Sequence, residues 1–162
     1  MKFSRELRVD ADYHQFYVLD SSAALDATGR DDFWTREAFP RMLAMNPGIL
    51  GVTTGSYQVP VLLQVDTAAP SDDFAAWDHV VEADLALPSG KLIVCGCTQP
   101  REEGLQVPIP PGRYIARVCY GKLDSVVDEQ GDDHYTVFLW PGTRSGAEVL
   151  KRWPGAAKFA RP

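Results

Sequence analysis

Trp77-Asp78-His79-Val80-Val81-Glu82-Ala83-Asp84-Leu85-Ala86-Leu87 is the stretch that decides the fold. Trp77, His79, Val81, Ala83, Leu85 and Leu87 share one phase, while Asp78, Glu82 and Asp84 fall on the other. Side chains of an extended chain alternate between two faces, so this pattern is a strand with one face buried and one wet. That is the signature of antiparallel sheets rather than of parallel sheets covered on both sides. The same period recurs outward in both directions. Upstream, Phe3, Leu7 and Val9 alternate with Lys2, Glu6, Arg8 and Asp10, and Tyr57, Val59, Val61, Leu63 and Val65 share a face. Further strands read from His14 to Leu19, Ile93 to Cys97, Tyr114 to Tyr120 and Tyr135 to Trp140; the first two of these are apolar on both phases. Tyr57, Val61, Leu63, Val81, Leu85, Tyr114, Val118, Val137 and Leu139 are the expected core.

Turn residues punctuate the runs. Pro88-Ser89-Gly90 has hairpin spacing, and Pro110-Pro111-Gly112 suits a type II turn. Pro60 lacks the N–H a ladder needs, so its strand is expected at an edge or with a bulge. One helix is expected over Thr35–Met45, capped by Thr35, with Glu37 in its first turn and Phe39, Met42 and Leu43 as its apolar stripe. Pro40 threatens to split it, and Asn46-Pro47-Gly48 ends it. Seven or eight short strands and one helix predict a mainly β protein, an antiparallel β-sandwich with a closed barrel as the alternative. Residues 1–143 read as one domain, with 144–162 a basic tail packed on it or trailing from it.

Composition bounds the function. With 162 residues, 45% apolar and 23% charged, the chain can bury a core without disulfides or metals. The first residues carry no apolar run of the secretory kind, and no window is apolar enough to span a bilayer, so a cytoplasmic, membrane-free protein is expected. The net charge of −6 is uneven: the tail from 144 carries +4 and the body −10. An acidic body disfavours direct nucleic-acid binding and steers basic partners.

Chemical motifs are sparse. No G-x-S-x-G, H-E-x-x-H or phosphate-binding glycine loop occurs. Cys95-Gly96-Cys97 projects two thiols to one face beside Ile93, and with Cys119 these read as small buried residues rather than metal ligands. No metal or cofactor is expected. His79 sits on an apolar phase and reads as a hydrogen-bonded core residue, whereas His14 and His134 are the candidates for a pocket in a small enzyme or ligand-binding domain. Two acidic clusters remain. Asp124, Asp128, Glu129, Asp132 and Asp133 precede the last expected strand and are the leading candidate for a protein-binding loop; Asp26, Asp31 and Asp32 form the alternative surface. Neither matches a calcium loop, because Gly131 precedes its paired aspartates instead of following them.

Several segments resemble the competence protein J (ComJ)-like nuclease inhibitor family in order. They are Tyr13-His14-Gln15-Phe16-Tyr17-Val18, Trp34-Thr35-Arg36-Glu37-Ala38, Gly51, Val59 to Val65, Trp77 to Leu87, Gly90 to Cys97, Ile109-Pro110-Pro111-Gly112-Arg113-Tyr114 and Asp133-His134-Tyr135-Thr136-Val137. The resemblance spans most of residues 3–140; the loop between 20 and 33 is longer and the tail after Trp140 is extra. It implies a non-enzymatic competence-type inhibitor that binds a nuclease, with acidic side chains occupying the cleft meant for DNA phosphates. A structural domain is the third reading.

Overall fold

The computed structural model describes residues 1–24 and 32–159. Two sheets face each other. The first has six strands in the order β1 (Phe3–Asp10), β5 (Gln58–Val65), β10 (His134–Pro141), β9 (Gly112–Gly121), β6 (His79–Leu87) and β11 (Ala147–Lys151). The second has five, in the order β3 (Leu43–Asn46), β4 (Ile49–Thr53), β2 (Gln15–Asp20), β7 (Lys91–Gly96) and β8 (Leu105–Pro108). The barrel does not close. All pairings are antiparallel except β5 with β10, which run parallel. No described helix is long and apolar enough to cross a membrane.

Alternation places the core correctly. Val61, Leu63, Val81, Leu85, Tyr114, Val118, Val137 and Leu139 are buried between the sheets. Tyr57 is the exception, 42% exposed, because β5 begins one residue after it. The strands apolar on both phases are also explained. A second, smaller cluster covers the outer face of the five-stranded sheet, where Phe33 and partly buried Trp34 pack on Tyr17, Leu19, Ile93 and Cys95. Gly51 permits this: a Cβ there would lie 3.0 Å from both the Phe33 and Trp34 rings. The cysteines, all unpaired, sit where the sequence put them, Cys95 and Cys119 buried and Cys97 half-buried.

Three local expectations are corrected. The helix is a single turn, α1 (Ala38–Arg41), ended by Met42 at φ 62°, and the remainder of the expected segment is β3. Thr35 Oγ1 still accepts the Ala38 N–H at 3.2 Å, but a turn containing Pro40 gains too little from helical bonding to outweigh pairing with β4. Asn46-Pro47-Gly48 therefore closes a β-hairpin, Asn46 opposite Ile49, rather than a helix. Pro88-Ser89-Gly90 is not a hairpin turn, because β6 and β7 lie in different sheets. It is a crossover held by Asp20, whose carboxylate accepts from the Ser89 N–H and hydroxyl and from Ser22. Burial alone would raise the Asp20 pKa, but these four hydrogen bonds outweigh it and hold the group below its ordinary value. Finally, Pro60 is not on an edge strand; the ladder to β10 begins only at Val61, so the proline falls just outside it.

The outer face of the six-stranded sheet is strapped by the chain between β5 and β6. Glu82 and Arg117, both on outward phases, are consequently 8% and 4% exposed. Arg117 binds Glu82 at 2.7 Å, Asp72 at 2.8 Å and the Ser71 carbonyl at 2.9 Å, with its guanidinium over Phe74 and Trp140. Arg144 adds a second bond to Glu82 at 2.9 Å. The segment after Trp140 thus joins the sheet as β11, and Trp153 is buried.

Candidate protein-binding surface

The acidic loop of the sequence, residues 124–133, divides into structural and exposed members. Asp133 is 1% exposed. Its Oδ2 accepts from the Gly55 N–H at 3.1 Å, the Ser56 N–H at 3.0 Å and the Tyr135 hydroxyl at 2.5 Å, and its Oδ1 accepts from the Ser56 hydroxyl. It is an internal post tying the β4–β5 connection to β10, and it is withdrawn from any contact surface. Burial, with the Asp133 charge and hydrogen bond adding to it, pushes the Tyr135 phenol well above its ordinary pKa, so it is a fixed donor. Asp124 is exposed but engaged, accepting the Trp153 indole N–H at 2.9 Å. Asp128, Glu129 and Asp132 are exposed. Of the alternative surface only Asp32 is described, exposed in a turn; Asp26 and Asp31 lie outside the described residues.

Asp128 and Glu129 occupy the tip of a tight reversal. Val127 and Gln130 exchange backbone hydrogen bonds at 2.8 and 3.1 Å, and the two acids between them have φ of 50° and 65°. Left-handed backbone at two successive positions is the geometry Asn-Gly normally supplies. A glutamate held there is strained, and such strain concentrates at functional sites. The β1–β2 connection repeats the feature, with Tyr13 at φ 56° and His14 at φ 59°. Together these make four of the six non-glycine residues with positive φ among those described.

The two strained turns touch. His14 Nε2 lies 3.2 Å from Glu129 Oε1, and its ring stacks on Tyr57 with centroids 4.5 Å apart. Interaction with the Glu129 carboxylate, with lesser contributions from desolvation and from the charges of Glu129 and Asp12, raises the Tyr57 phenol pKa. Around this knot stand Tyr13 and Val127, 77% and 69% exposed. Asp12 holds the near side, its carboxylate taking the Thr98 hydroxyl and its carbonyl the Cys97 thiol. One end of the sandwich therefore presents Tyr13, Tyr57 and Val127 among Asp12, Asp128, Glu129 and Asp132. Aromatic anchors within a charged surround are the usual make-up of a protein–protein hot spot. Sequence reasoning missed Tyr57 as a surface residue, because it continues the apolar phase of a strand that begins one residue after it, and it gave Tyr13 no surface role.

The histidines proposed for a pocket separate. His14 belongs to the knot just described. His134 is 5.3 Å from the Trp77 ring on the outer sheet face, on a different element from His14. Neither ring is bonded to a thiol or hydroxyl among the described residues. Burial pushes the thiols of Cys95 and Cys97 up to about 11 and of Cys119 to about 12, so they stay protonated at neutral pH.

The two-sheet topology defines a mainly β, sandwich-like fold. The chain is similar to the crystal structure of ComJ, inhibitor of the DNA degrading activity of NucA, from Bacillus subtilis, with a TM-score of 0.66 and 15% identity over 88% of this chain and 99% of that one. It is also similar to a structure described as crocagin biosynthetic gene J, with a TM-score of 0.59 and 16% identity over 88% and 99% of the two chains. At these identities the likeness is one of fold. No protein-family model matches the sequence, and no curated protein does.

Proposed function

We propose that this protein is a non-enzymatic inhibitor that binds a nuclease and occludes its basic, phosphate-binding cleft. The observation that carries the reading is the end surface: Tyr13, Tyr57 and Val127 exposed among four carboxylates, where two turns of left-handed backbone are locked through His14 and Glu129 beside the β4–β5 connection. Apolar anchors supply affinity at the centre of such a contact, and acids around them speed encounter with a basic cleft. The ComJ-like fold supports the partner class. The rigid turns suit it as well, because a surface already held in shape loses little entropy on docking.

The test is inhibition of DNA cleavage. A nuclease retained by this protein from its native host is purified, and its plasmid degradation is titrated with the protein. Stoichiometric protection is expected. Replacing Asp128, Glu129 and Asp132 with serine should slow association and flatten its salt dependence, and Tyr13→Ala should speed dissociation by about tenfold or more. Neutralising Asp26, Asp31 and Asp32 is the control and should change neither. If that control set abolishes protection while the first set does nothing, the wrong surface has been chosen. If no nuclease is retained or inhibited, the inhibitor reading fails.

A further inference from the structure

The outer face of the six-stranded sheet holds a second feature, remote in sequence from the acidic end surface and independent of the inhibitor reading. Three neighbouring strands present their outward residues side by side: Glu6 and Arg8 on β1, Pro60 and Leu62 on β5, His134, Thr136 and Phe138 on β10. Trp77, at the end of the strap, stands against His134. Together they line an open cleft of about 640 Å3. That is within the range of small-molecule sites, about 300–1,000 Å3.

The polar groups of this cleft are uncommitted. Elsewhere, several buried polar side chains are engaged: Asp20, His79, Glu82, Arg117 and Asp133 all hold hydrogen-bond partners. In the cleft, Thr136 is only 5% exposed, yet no described residue gives its hydroxyl a hydrogen bond. The Trp77 indole N–H, the Arg8 guanidinium, the Glu6 carboxylate and the His134 ring nitrogens likewise have no hydrogen bond or ion pair among the described residues. Among the described residues Arg144 Nε alone is a fully enclosed side-chain polar atom without a partner, so the Thr136 hydroxyl opens into the cleft, within reach of a bound group. Few, convergent, unpaired polar groups around an apolar floor are what a ligand site contains.

We propose that this cleft binds a small aromatic carboxylate. The floor of Leu62 and Phe138 and the wall of Trp77 call for a flat apolar body. The donors, Arg8, the Trp77 N–H, Thr136 and His134, outnumber the one fixed acceptor, Glu6, so the ligand is rich in acceptors and anionic. Arg8 lies opposite Pro60, one step from where β10 joins β5, so the cationic group and His134 share the end of the cleft that takes the carboxylate. Glu6, opposite Leu62, faces a donor substituent such as a phenol hydroxyl.

The probe is 4-hydroxyphenylacetate, titrated into the full chain and followed by backbone and indole amide NMR. Saturable shifts are expected at Leu62, Thr136 and the Trp77 indole. The uncharged 4-hydroxyphenylacetamide should bind at least about tenfold more weakly, because it forfeits a charge-assisted bond. Arg8→Gln, at an exposed position, should leave the spectrum elsewhere unchanged and erase that difference, and Thr136→Val should weaken both compounds. No saturable shift up to about 10 mM of either compound, in a range where even weak sites fill, overturns the proposal. So do shifts that map outside the cleft, or acid and amide binding equally to the unmodified protein. Equal binding of cyclohexylacetate overturns the aromatic requirement.

Discussion

Replacing Asp133 separates the structural acid from its exposed neighbours. In Asp133→Ala the Ser56 N–H, Ser56 hydroxyl and Tyr135 hydroxyl, all buried, lose their acceptor at once, while the part-buried Gly55 N–H keeps the Tyr135 hydroxyl oxygen at 2.9 Å. Each orphaned buried donor costs about 1–3 kcal/mol, and because the groups share one cavity and admit water together, the total should fall near 3–5 kcal/mol rather than at the sum. Asp133→Asn is the informative partner. Three of the four donors converge on Oδ2, and the fourth is a hydroxyl that can turn and accept. An asparagine with its carbonyl at the Oδ2 position keeps all four contacts and loses only the charge assistance, about 1–2 kcal/mol. Asp128→Ser, at an exposed turn, should stay within about 0.5 kcal/mol. The assay is urea unfolding followed by tryptophan fluorescence, the midpoints compared at constant slope. An Asp133→Ala variant as stable as Asp128→Ser, or an Asp133→Asn variant as damaged as the alanine, would refute the account of this carboxylate.

Two further outcomes follow from buried groups. His79 is wholly buried, its Nε2 donating to the Arg41 carbonyl at 2.9 Å and its Nδ1 accepting the Trp153 N–H at 3.1 Å. Burial lowers its pKa, the Arg41 carbonyl works against that, and the charge of Arg152 adds to the lowering. The unfolded chain therefore takes up this proton first as pH falls, so the stabilisation is complete above about pH 6.5 and is lost on descending toward the lowered native value. The slope is at most about 1.4 kcal/mol per pH unit. His79→Gln, which can still donate and accept, should remove that part of the slope in pH-dependent urea melts; an identical slope in both proteins contradicts the assignment. At Gly96 an added Cβ would sit 2.1 Å from the Asp10 carbonyl oxygen, a backbone atom that cannot swing aside. Gly96→Ala should cost about 2–3 kcal/mol by overpacking, and a thermal midpoint equal to the parent's would show that β1 and β7 can part freely there.

Much of the fold was legible because period-two burial is a local signal. The phases of β5, β6, β9 and β10 fix which residues of each strand enter the core, and eight of the nine residues expected there do so. What went unread were β3, β4, β8 and β11, strands of four or five residues. Such segments are too short to show a period, and they exist because a neighbouring strand offers a ladder. The Thr35–Met45 segment shows the competition directly: its capping signal is real, but pairing with β4 outweighs a proline-interrupted helix.

The sequence by itself determined that this is an acidic, strand-dominated chain with structural cysteines and a core histidine, since composition and alternation depend on residues near one another. The tertiary structure alone decided which charges are available. Asp133 and Asp132 are neighbours in one acidic run, yet one is enclosed by the β4–β5 connection and the other faces solvent. Glu82 occupies an outward phase and is nonetheless buried, because the chain between β5 and β6 folds back over it and Arg117. The surface of Tyr13, His14, Tyr57 and Glu129 is assembled from three separate connections, and the outer cleft from three strands and a strap. Desolvation and charge pairing act between groups that the chain brings together only by folding, which is why no local pattern announces them.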